Sequence, residues 1–231
     1  MDHHDDGQRV LKHPLCSRLF HWGLILGFLP AALTGFVIWY KPGSEDFVNL
    51  AMKIHIAGAA VLTVSCVLYA LLCLDRIAGF IRRNFSWDDR DVGWLLVGGG
   101  YPQKMLLGKK ILVPPMGKVN SGQKIFGLCL LFLGPVLIVT GWILYAFIPL
   151  APKELIRITN TVHLVLGLYM GLFLFVHMFL GVYNWGEFKA MFGDGTQPLA
   201  EAADHNPLWV DKDIEPVAGR GTEKNSYVQR A

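Results

Sequence analysis

Between residues 158 and 186 the chain reads ITNTVHLVLGLYMGLFLFVHMFLGVYNWG, a stretch without Asp, Glu, Lys or Arg. It exceeds the roughly 20 residues that an α-helix needs to cross about 30 Å of hydrocarbon. Two histidines, His163 and His177, interrupt its apolar residues. Ionisable side chains at membrane depth are costly and are kept mostly where they bind or carry something. The stretch therefore predicts a membrane-spanning helix with a functional group at each histidine.

Three further stretches have the same character and lie at residues 19–40, 54–74 and 125–152. The chain of 231 residues is 53% hydrophobic and only 17% charged, with a mean hydropathy of +0.39, which is too apolar for an ordinary soluble domain. We therefore predict an all-α membrane protein, a four-helix transmembrane bundle that runs up-down-up-down. The predicted helices cover about residues 19–40, 54–74, 125–148 and 159–185.

These helices form a predicted transmembrane domain of residues 1–186, followed by a polar tail of residues 187–231. The tail is rich in polar residues with Gly and Pro, so we expect it to be loose or to be ordered only by a partner.

Positive charge is distributed unevenly between the two sides of the predicted bundle. Nine Lys and Arg residues lie in the connection over residues 76–124, whereas the loops on the other side have only Lys41 and Lys53, then Lys153 and Arg157. Because loops rich in Lys and Arg stay in the cytoplasm, both termini and the long connection are predicted to be cytoplasmic. The expected location is the inner membrane of a bacterial cell.

An interfacial helix is predicted within that long connection. Ser86 and Asp89 have the spacing of a capping box, and Gly98–Gly100 would end the helix. Its tryptophans, Trp87 and Trp94, would lie at headgroup level.

Four histidines in or beside the charge-free stretches can be paired by depth: His21, His55, His163 and His177. The first helix starts in the cytoplasm and the second and fourth start outside, so His55 and His163 fall near the outer face. His177 follows His163 by 14 residues, about 21 Å at 1.5 Å per residue, and falls with His21 near the cytoplasmic face. The same step leaves His163 and His177 on one face of their helix. Four nearby glycines would leave room for a flat macrocycle: Gly35, Gly58, Gly167 and Gly181.

Two layers of paired histidines are typical of haem iron, for which neutral imidazole is a common axial ligand. Zinc is a poorer match, since no Cys, Asp or Glu joins the histidines at a suitable spacing. Two other classes stay open: a transporter whose histidines relay protons, and a membrane anchor without haem.

The remaining histidines and the cysteines are predicted to have no chemical role. We expect the cysteines to be small buried side chains: Cys16, Cys66, Cys73 and Cys129. The other histidines lie in polar segments and should be solvated: His3, His4, His13 and His205.

At this point the chain resembles the cytochrome b (gamma) subunit of respiratory formate dehydrogenases, over roughly residues 10–210. The first helix has RLFHW at 18–22 and Thr34-Gly35 near its far end. The third is entered through KVNSGQK at 118–124 and has Thr140-Gly141-Trp142. His163 and His177 have the family's spacing. The ending ADHNPLW at 203–209 departs from the family's usual His-His pair, so it is assigned no role.

The resemblance implies two haems b, with His55 and His163 as outer ligands and His21 and His177 as inner ligands. An iron–sulfur (beta) subunit outside, fed by a catalytic (alpha) dehydrogenase subunit, would pass electrons through both haems. This chain would have no formate-oxidising residue of its own, and besides these subunits its partners would be quinone and membrane lipid, without nucleic acid.

The resemblance also implies a site for menaquinone or another quinone near the cytoplasmic face, formed by Asn120, Gly122 and Gln123 with the ligand His177. From the residues alone, Asn120 could equally cap the third helix. The partner is also left open, since cytochromes b of nickel–iron hydrogenases and thiosulfate reductases share the same histidine set.

Overall fold

The computed structural model describes residues 8–214 and 228–230. The strands in chain order are β1 (Gln8–Leu11), β2 (Thr196–Pro198) and β3 (Val228–Arg230). The α-helices in chain order are α1 (Leu15–Tyr40), α2 (Glu45–Leu72), α3 (Leu74–Phe85), α4 (Asp89–Leu96), α5 (Tyr101–Leu107), α6 (Ser121–Phe147), α7 (Lys153–Tyr183), α8 (Trp185–Phe192), α9 (Leu199–His205) and α10 (Pro207–Trp209). A 3₁₀ turn at Gly98–Gly100 and a π turn at Val210–Ile214 complete the described elements.

Four helices of the described chain, α1, α2, α6 and α7, are long and apolar enough to cross a membrane, which confirms the predicted fold class. Each starts earlier than its charge-free stretch, and α2 begins nine residues earlier, at Glu45. The Oγ of Ser44 caps it by accepting a hydrogen bond from the N–H of Phe47. Charged residues are tolerated in these first turns because the helix can continue beyond the hydrocarbon into the headgroup region.

The chain divides into two compact units. The membrane unit consists of Cys16–Ile77 and Cys129–Tyr183, and the loop-and-tail unit consists of the described residues of Met1–Leu15, Ala78–Leu128 and Asn184–Ala231. This division differs from the predicted boundary after residue 186, because the tail folds together with the N-terminal segment and the long connection.

Close contact between α1 and α2 rests on small residues in the membrane unit. A Cβ at Gly27 would lie 2.6 Å from the backbone nitrogen of Leu62, and one at Gly58 would lie 2.7 Å from the carbonyl oxygen of Gly27. Gly23, Gly27 and Ala31 follow one another at four-residue steps, the small-residue pattern that lets helix backbones approach. Gly58 therefore serves helix packing, and the prediction that it makes room for a macrocycle is wrong.

The other contacts of the membrane unit close the four helices into a bundle. The indole N–H of Trp142 on α6 donates to the hydroxyl of Thr63 on α2, over 3.0 Å. A Cβ at Gly171 on α7 would lie 3.2 Å from the ring of Phe36 on α1. Both hairpins, α1–α2 and α6–α7, thereby contribute to one helical core.

A small sheet and its hydrophobic core order the loop-and-tail unit. β1 lies between β2 and β3 and pairs antiparallel with both. Five residues form the buried core: Val10, Ala202, Trp209, Val210 and Ile214. The expectation of a loose tail is therefore wrong for residues 187–214, since burial of these apolar side chains stabilises a defined fold. The prediction for residues 215–227 and 231 lies outside the described residues.

A helix lies where the interfacial helix was predicted, as α4, but its cap and one of the two tryptophans, Trp94, differ from the prediction. Asp88 is the N-cap, and it forms a reciprocal capping box with Asp91 rather than Ser86 with Asp89. Trp94 is buried against Gly99, which has a φ of 62° that favours glycine. Trp94 thus packs inside its unit and is not free to lie at headgroup level.

Two cysteines depart from the predicted bland role. Cys16 at the start of α1 and Cys73 after α2 form a disulfide, with their Cα atoms 6.8 Å apart. Cys66 and Cys129 are free and half-buried. Sequence spacing gave no sign of this pair, because 57 residues separate its members.

Candidate haem sites

The membrane unit brings the four predicted histidines together as two facing pairs. The ring centres of His55 on α2 and His163 on α7 are 6.1 Å apart, with an angle of 76° between the ring planes. Those of His21 on α1 and His177 on α7 are 6.2 Å apart, at 60°. Because His163 and His177 are 14 residues apart on one helix, the two pairs lie about 21 Å apart along it.

These distances match what bis-imidazole ligation of one iron requires. An imidazole nitrogen binds a metal at about 2 Å, so two rings on opposite sides of one iron have centres about 6 Å apart. Within residues 8–214, no group of three or more His, Cys, Asp or Glu side chains could hold a metal ion. The paired geometry therefore fits haem, whose macrocycle supplies the other iron ligands, and does not fit a tetrahedral zinc site.

Hydrogen bonds at Nδ1 orient both histidines of the pair His55 and His163. The Nδ1 of His55 lies 2.8 Å from the carbonyl oxygen of Ala31 and 3.4 Å from Oγ1 of Thr34, both on α1. The Nδ1 of His163 lies 3.1 Å from Oγ1 of Thr140 on α6. A carbonyl can only accept, so Nδ1 of His55 carries the proton and its Nε2 lone pair is available for a metal.

Glycines beside the pair His55 and His163 allow the helices to approach the rings. A Cβ at Gly141 would lie 3.0 Å from Cε1 of His163, and one at Gly35 would lie 3.5 Å from Cε1 of His55. Gly181 is different, since no heavy atom of the described chain would lie within 4 Å of its Cβ. At Gly167 the nearest atom, in Leu137, would be 4.0 Å away. The described chain thus leaves the space beside Gly167 and Gly181 open, and the macrocycle expected there stays a prediction.

The predicted quinone residues belong to the loop-and-tail unit, at the start of α6. The Oδ1 of Asn120 accepts from the N–H of Gln123, and the Oε1 of Gln123 accepts from the N–H of Asn120, each over 2.9 Å. This reciprocal capping box is the alternative that the sequence left open for Asn120. Gly122 lies under Trp94, whose ring a Cβ would meet at 3.1 Å. Both amide NH₂ groups keep their donors, since the box uses only the side-chain oxygens.

A buried ion pair next to this segment was missed from the sequence. The Nζ of Lys124 donates to both carboxylate oxygens of Asp91, over 2.7 and 2.8 Å, and to the carbonyl of Ser86. Ser121 donates its hydroxyl to the same carboxylate. Burial alone would raise the pKa of Asp91, but the hydrogen bonds from Lys124, the Asp88 N–H and Ser121 hold it below its ordinary value. In the sequence, the only sign of this pair is that Asp91 and Lys124 each lie next to an apolar stretch.

A second buried polar cluster joins the N-terminal segment to the tail. Lys12 donates to the carboxylate of Glu187 and, over 2.7 Å, to Oδ1 of Asn206. Burial opposes ionisation of Glu187, yet hydrogen bonds from His13 and the charge of Lys12 lower its pKa to about 2. Asn206 in turn donates to the carbonyl of Gly117, over 2.6 Å.

The outcome for the remaining histidines is mixed. His13 is half-buried, with its Nε2 3.8 Å from the carboxylate of Glu187, so the prediction that it is solvated is wrong. His205 is exposed as predicted. His3 and His4 lie outside the described residues.

Four apolar helices around two facing histidine pairs define a membrane-spanning protein of the b-type cytochrome class. Comparison with known families agrees with this geometry. Residues 12–194 match the family described as prokaryotic cytochrome b561, and the chain belongs to that family. The family is one of b-type cytochromes, so haem b is the cofactor of this membrane protein.

Two curated relatives are similar over almost the whole chain. The nitrate-inducible formate dehydrogenase cytochrome b556(Fdn) subunit of Escherichia coli is 22% identical over 213 residues, 91% of this chain and 94% of the relative. The formate dehydrogenase cytochrome b556 subunit of Haemophilus influenzae is 23% identical over 217 residues, 89% of this chain and 84% of the relative. The similarity to these subunits therefore extends over about nine-tenths of this chain.

Proposed function

We propose that this chain is the dihaem cytochrome b subunit of a membrane-bound respiratory formate dehydrogenase. The observation that carries the proposal is the pair of facing histidine sites, His55 with His163 and His21 with His177, at two levels of one helical unit. Two one-electron sites about 21 Å apart along α7 suit transfer across a membrane. The cytochrome b556 relatives, which match over about nine-tenths of the chain, support formate dehydrogenase as the enzyme.

Each haem would be held by one histidine from α7 and one from an earlier helix. Haem iron, when bound, supplies reversible one-electron chemistry. The residues of this chain do the rest: His21, His55, His163 and His177 offer nitrogen ligands, and the apolar helices exclude water from both sites. The donor of the electrons would be an iron–sulfur subunit outside the membrane, coupled to a catalytic dehydrogenase subunit.

Orientation follows from the positive charge of the long connection. Nine Lys and Arg residues between 76 and 124 favour a cytoplasmic location for this connection and for both termini of a bacterial inner-membrane protein. The pair His55 and His163 would then face the outer side and His21 with His177 the cytoplasmic side. Electrons would enter at the first pair and leave at the second.

The acceptor in this proposal is menaquinone or another quinone, bound by Asn120, Gly122 and Gln123. A quinone carbonyl needs hydrogen-bond donors, and both amides retain their NH₂ groups after their oxygens have formed the capping box. Two electrons and two protons convert the quinone to a quinol. Uptake of the protons from the cytoplasm, with electrons arriving from outside, would charge the membrane.

The first experiment is a reduced-minus-oxidised visible spectrum of the purified chain, with haem quantified per polypeptide. Two b-type haems per chain are expected, and one after replacement of His55 or of His177 by Ala. A haem-free preparation, made with adequate haem supply, would overturn the proposal in favour of an anchor or a transporter. Two haems in the His55→Ala variant would overturn the pairing.

The quinone assignment needs variants that separate the cap from the site. Asn120→Ser keeps a capping oxygen, and Gln123→Glu keeps the capping-box acceptor, but each removes an amide donor. Both should retain two haems and lose quinone reduction by haem-linked electrons, at least tenfold in rate. Full quinone activity in both variants, with haem loss in Asn120→Ala, would recast the segment as structural.

The electron donor is tested in membranes that contain the complete complex. Formate should reduce both haems and hydrogen should not. Reduction by hydrogen and not by formate would assign the chain to a hydrogenase instead.

A further inference from the structure

The two outer histidines are held by the same arrangement on two different hairpins. On α1, the hydroxyl of Thr34 donates back to the carbonyl of Pro30 over 2.6 Å and faces Nδ1 of His55. On α6, the hydroxyl of Thr140 donates back to the carbonyl of Val136 over 2.7 Å and faces Nδ1 of His163. In each case a glycine follows the threonine, Gly35 or Gly141, and lies against Cε1 of the same ring.

The direction of these hydrogen bonds is determined by chemistry. A hydroxyl has one proton, and in both threonines a helix carbonyl already receives it. With its proton on the helix carbonyl, the hydroxyl oxygen accepts from the ring, and Nδ1 of each histidine then carries the proton. Nε2 is then the unprotonated nitrogen of both rings, which is the form that binds a metal.

A carbonyl next to Thr34 reinforces the same tautomer in His55. Ala31 accepts from Nδ1 of His55 over 2.8 Å, and Leu137 has the equivalent position beside Thr140 on α6. Each carbonyl also lies near the threonine hydroxyl, at 3.2 Å for Ala31 and 3.1 Å for Leu137. One turn of α1 thus presents two oxygens to Nδ1 of His55, and one turn of α6 places Thr140 and its neighbouring carbonyl in the same arrangement beside His163.

Close helix packing is what brings these oxygens within reach. Ala31 belongs to the small-residue series of α1 that includes Gly27, where the backbone of α2 approaches so closely that a Cβ would lie 2.6 Å from Leu62. A larger residue in this series would hold α2 away and lengthen the contact between His55 and Ala31. Close packing of α1 against α2 and the hydrogen bonds to His55 therefore depend on the same stretch of α1.

We propose that Thr34 and Thr140 are positioning residues of the outer haem site, whose hydroxyls set the tautomer and plane of His55 and His163. The inference rests on the proposed function, because it requires haem between these rings. It goes further by assigning the 76° angle between the ring planes to two residues that touch no haem iron. A hydrogen bond at Nδ1 raises the basicity of a ligating imidazole, so these hydroxyls also lower the reduction potential of the outer haem.

Back-bonding alone does not make a threonine a positioning residue. Thr161 on α7 donates to the carbonyl of Arg157 over 2.9 Å, the ordinary way in which a helical threonine satisfies its hydroxyl. Thr161 is exposed, so it provides a matched control for removing a back-bonded hydroxyl from the same bundle.

The test replaces Thr34 and Thr140 by Val, which keeps the shape and removes the hydroxyl. The readouts are the reduction potential of each haem and the low-spin ferric signal in electron paramagnetic resonance, which reports the angle between the ligand planes. Thr140→Val should raise the potential of the outer haem and move its signal, and leave the inner haem unchanged. Thr34→Val should give smaller changes in the potential and the signal of the outer haem. The reason is that the carbonyl of Ala31, at 2.8 Å, remains the stronger acceptor for His55.

The control variants complete the design. Thr140→Ser should restore the wild-type signal, and Thr161→Val should change neither haem. Loss of the outer haem in Thr140→Val, with retention in Thr140→Ser, also supports the inference. An unchanged outer signal in Thr140→Val, equal shifts of both haems, or haem loss in the Ser variant as well would overturn it. A wild-type chain without two haems would instead defeat the proposed function.

Discussion

The ammonium group of Lys124 lies 2.7 Å and 2.8 Å from the two carboxylate oxygens of Asp91, and both side chains are almost fully buried. This ion pair joins α4 to the first turn of α6, the turn that follows the Asn120 capping box. A buried charge is stable only with its partner, so the pair makes the position of that turn dependent on two residues.

Removing one partner should therefore destabilise the loop-and-tail unit strongly. We expect Lys124→Met to lower the free energy of unfolding by about 3–5 kcal/mol, because the Asp91 carboxylate would stay buried without its cation. The double variant Asp91→Asn with Lys124→Met should recover most of this loss. Lys109→Met, at an exposed lysine of the same connection, should change little. Equal destabilisation in Lys109→Met would show that the buried pair has no special role.

The crossing of α1 and α2 should be intolerant of a single methyl group. Gly27→Ala would place a Cβ 2.6 Å from backbone of α2, which cannot move as a side chain can. We expect a loss of about 1–3 kcal/mol in stability together with a lower occupancy of the outer haem. Gly134→Ala on α6 is the matched control, since its Cβ would meet only Leu130, at an ordinary 3.8 Å. Haem titration and thermal unfolding of both variants measure the difference.

Acid should unfold the tail before it unfolds the membrane helices. The pKa of Glu187 is lowered from 4.5 to about 2, so its contribution to stability is complete above about pH 4.5 and is lost as the pH falls towards 2. The protection of the amides of residues 196–210 against hydrogen exchange, relative to an unfolded chain at the same pH, should therefore fall over this window. Glu187→Gln should remove this pH dependence, whereas Glu154→Gln, at an exposed side chain on α7, should preserve it. An unaltered exchange profile in Glu187→Gln would contradict the assignment.

Thiol titration checks the link between the ends of α1 and α2. After denaturation without reductant, Cys66 and Cys129 should react, and Cys16 and Cys73 should react only after reduction. Peptide mass analysis should find the peptides that contain Cys16 and Cys73 joined. Free thiols at all four positions in unreduced protein would mean that the two cysteines are merely close.

The features that could be predicted from sequence are those that depend on the length of an apolar stretch and on the spacing of residues along one helix. Charge-free stretches identified α1, α2, α6 and α7, since hydrocarbon excludes charge from a helix of that length. The 14-residue step from His163 to His177 set both their common face and their separation, so the pairing needed no three-dimensional information. The exact helix starts were missed because a helix can extend past the hydrocarbon, as α2 does from Glu45.

Features that depend on distant residues could not be predicted in this way. Val10 and Trp209 share one hydrophobic core although nearly the whole chain separates them, and no local pattern signals that contact. The N-cap of α4 is Asp88 and not the predicted Ser86. Both residue types are common at N-caps, so the local sequence does not distinguish them. The acceptors of the outer histidines, Ala31 and the two threonines, required knowledge of which helices touch.

The division of the outer site between two hairpins has a consequence for biogenesis. His55 is oriented by the helix that precedes it in α1–α2, and His163 by the helix that precedes it in α6–α7. Each hairpin therefore holds the residues that orient its own histidine. If His55 and His163 ligate one haem as proposed, that site is complete only when the two hairpins have associated laterally in the bilayer, and haem binding would report this association.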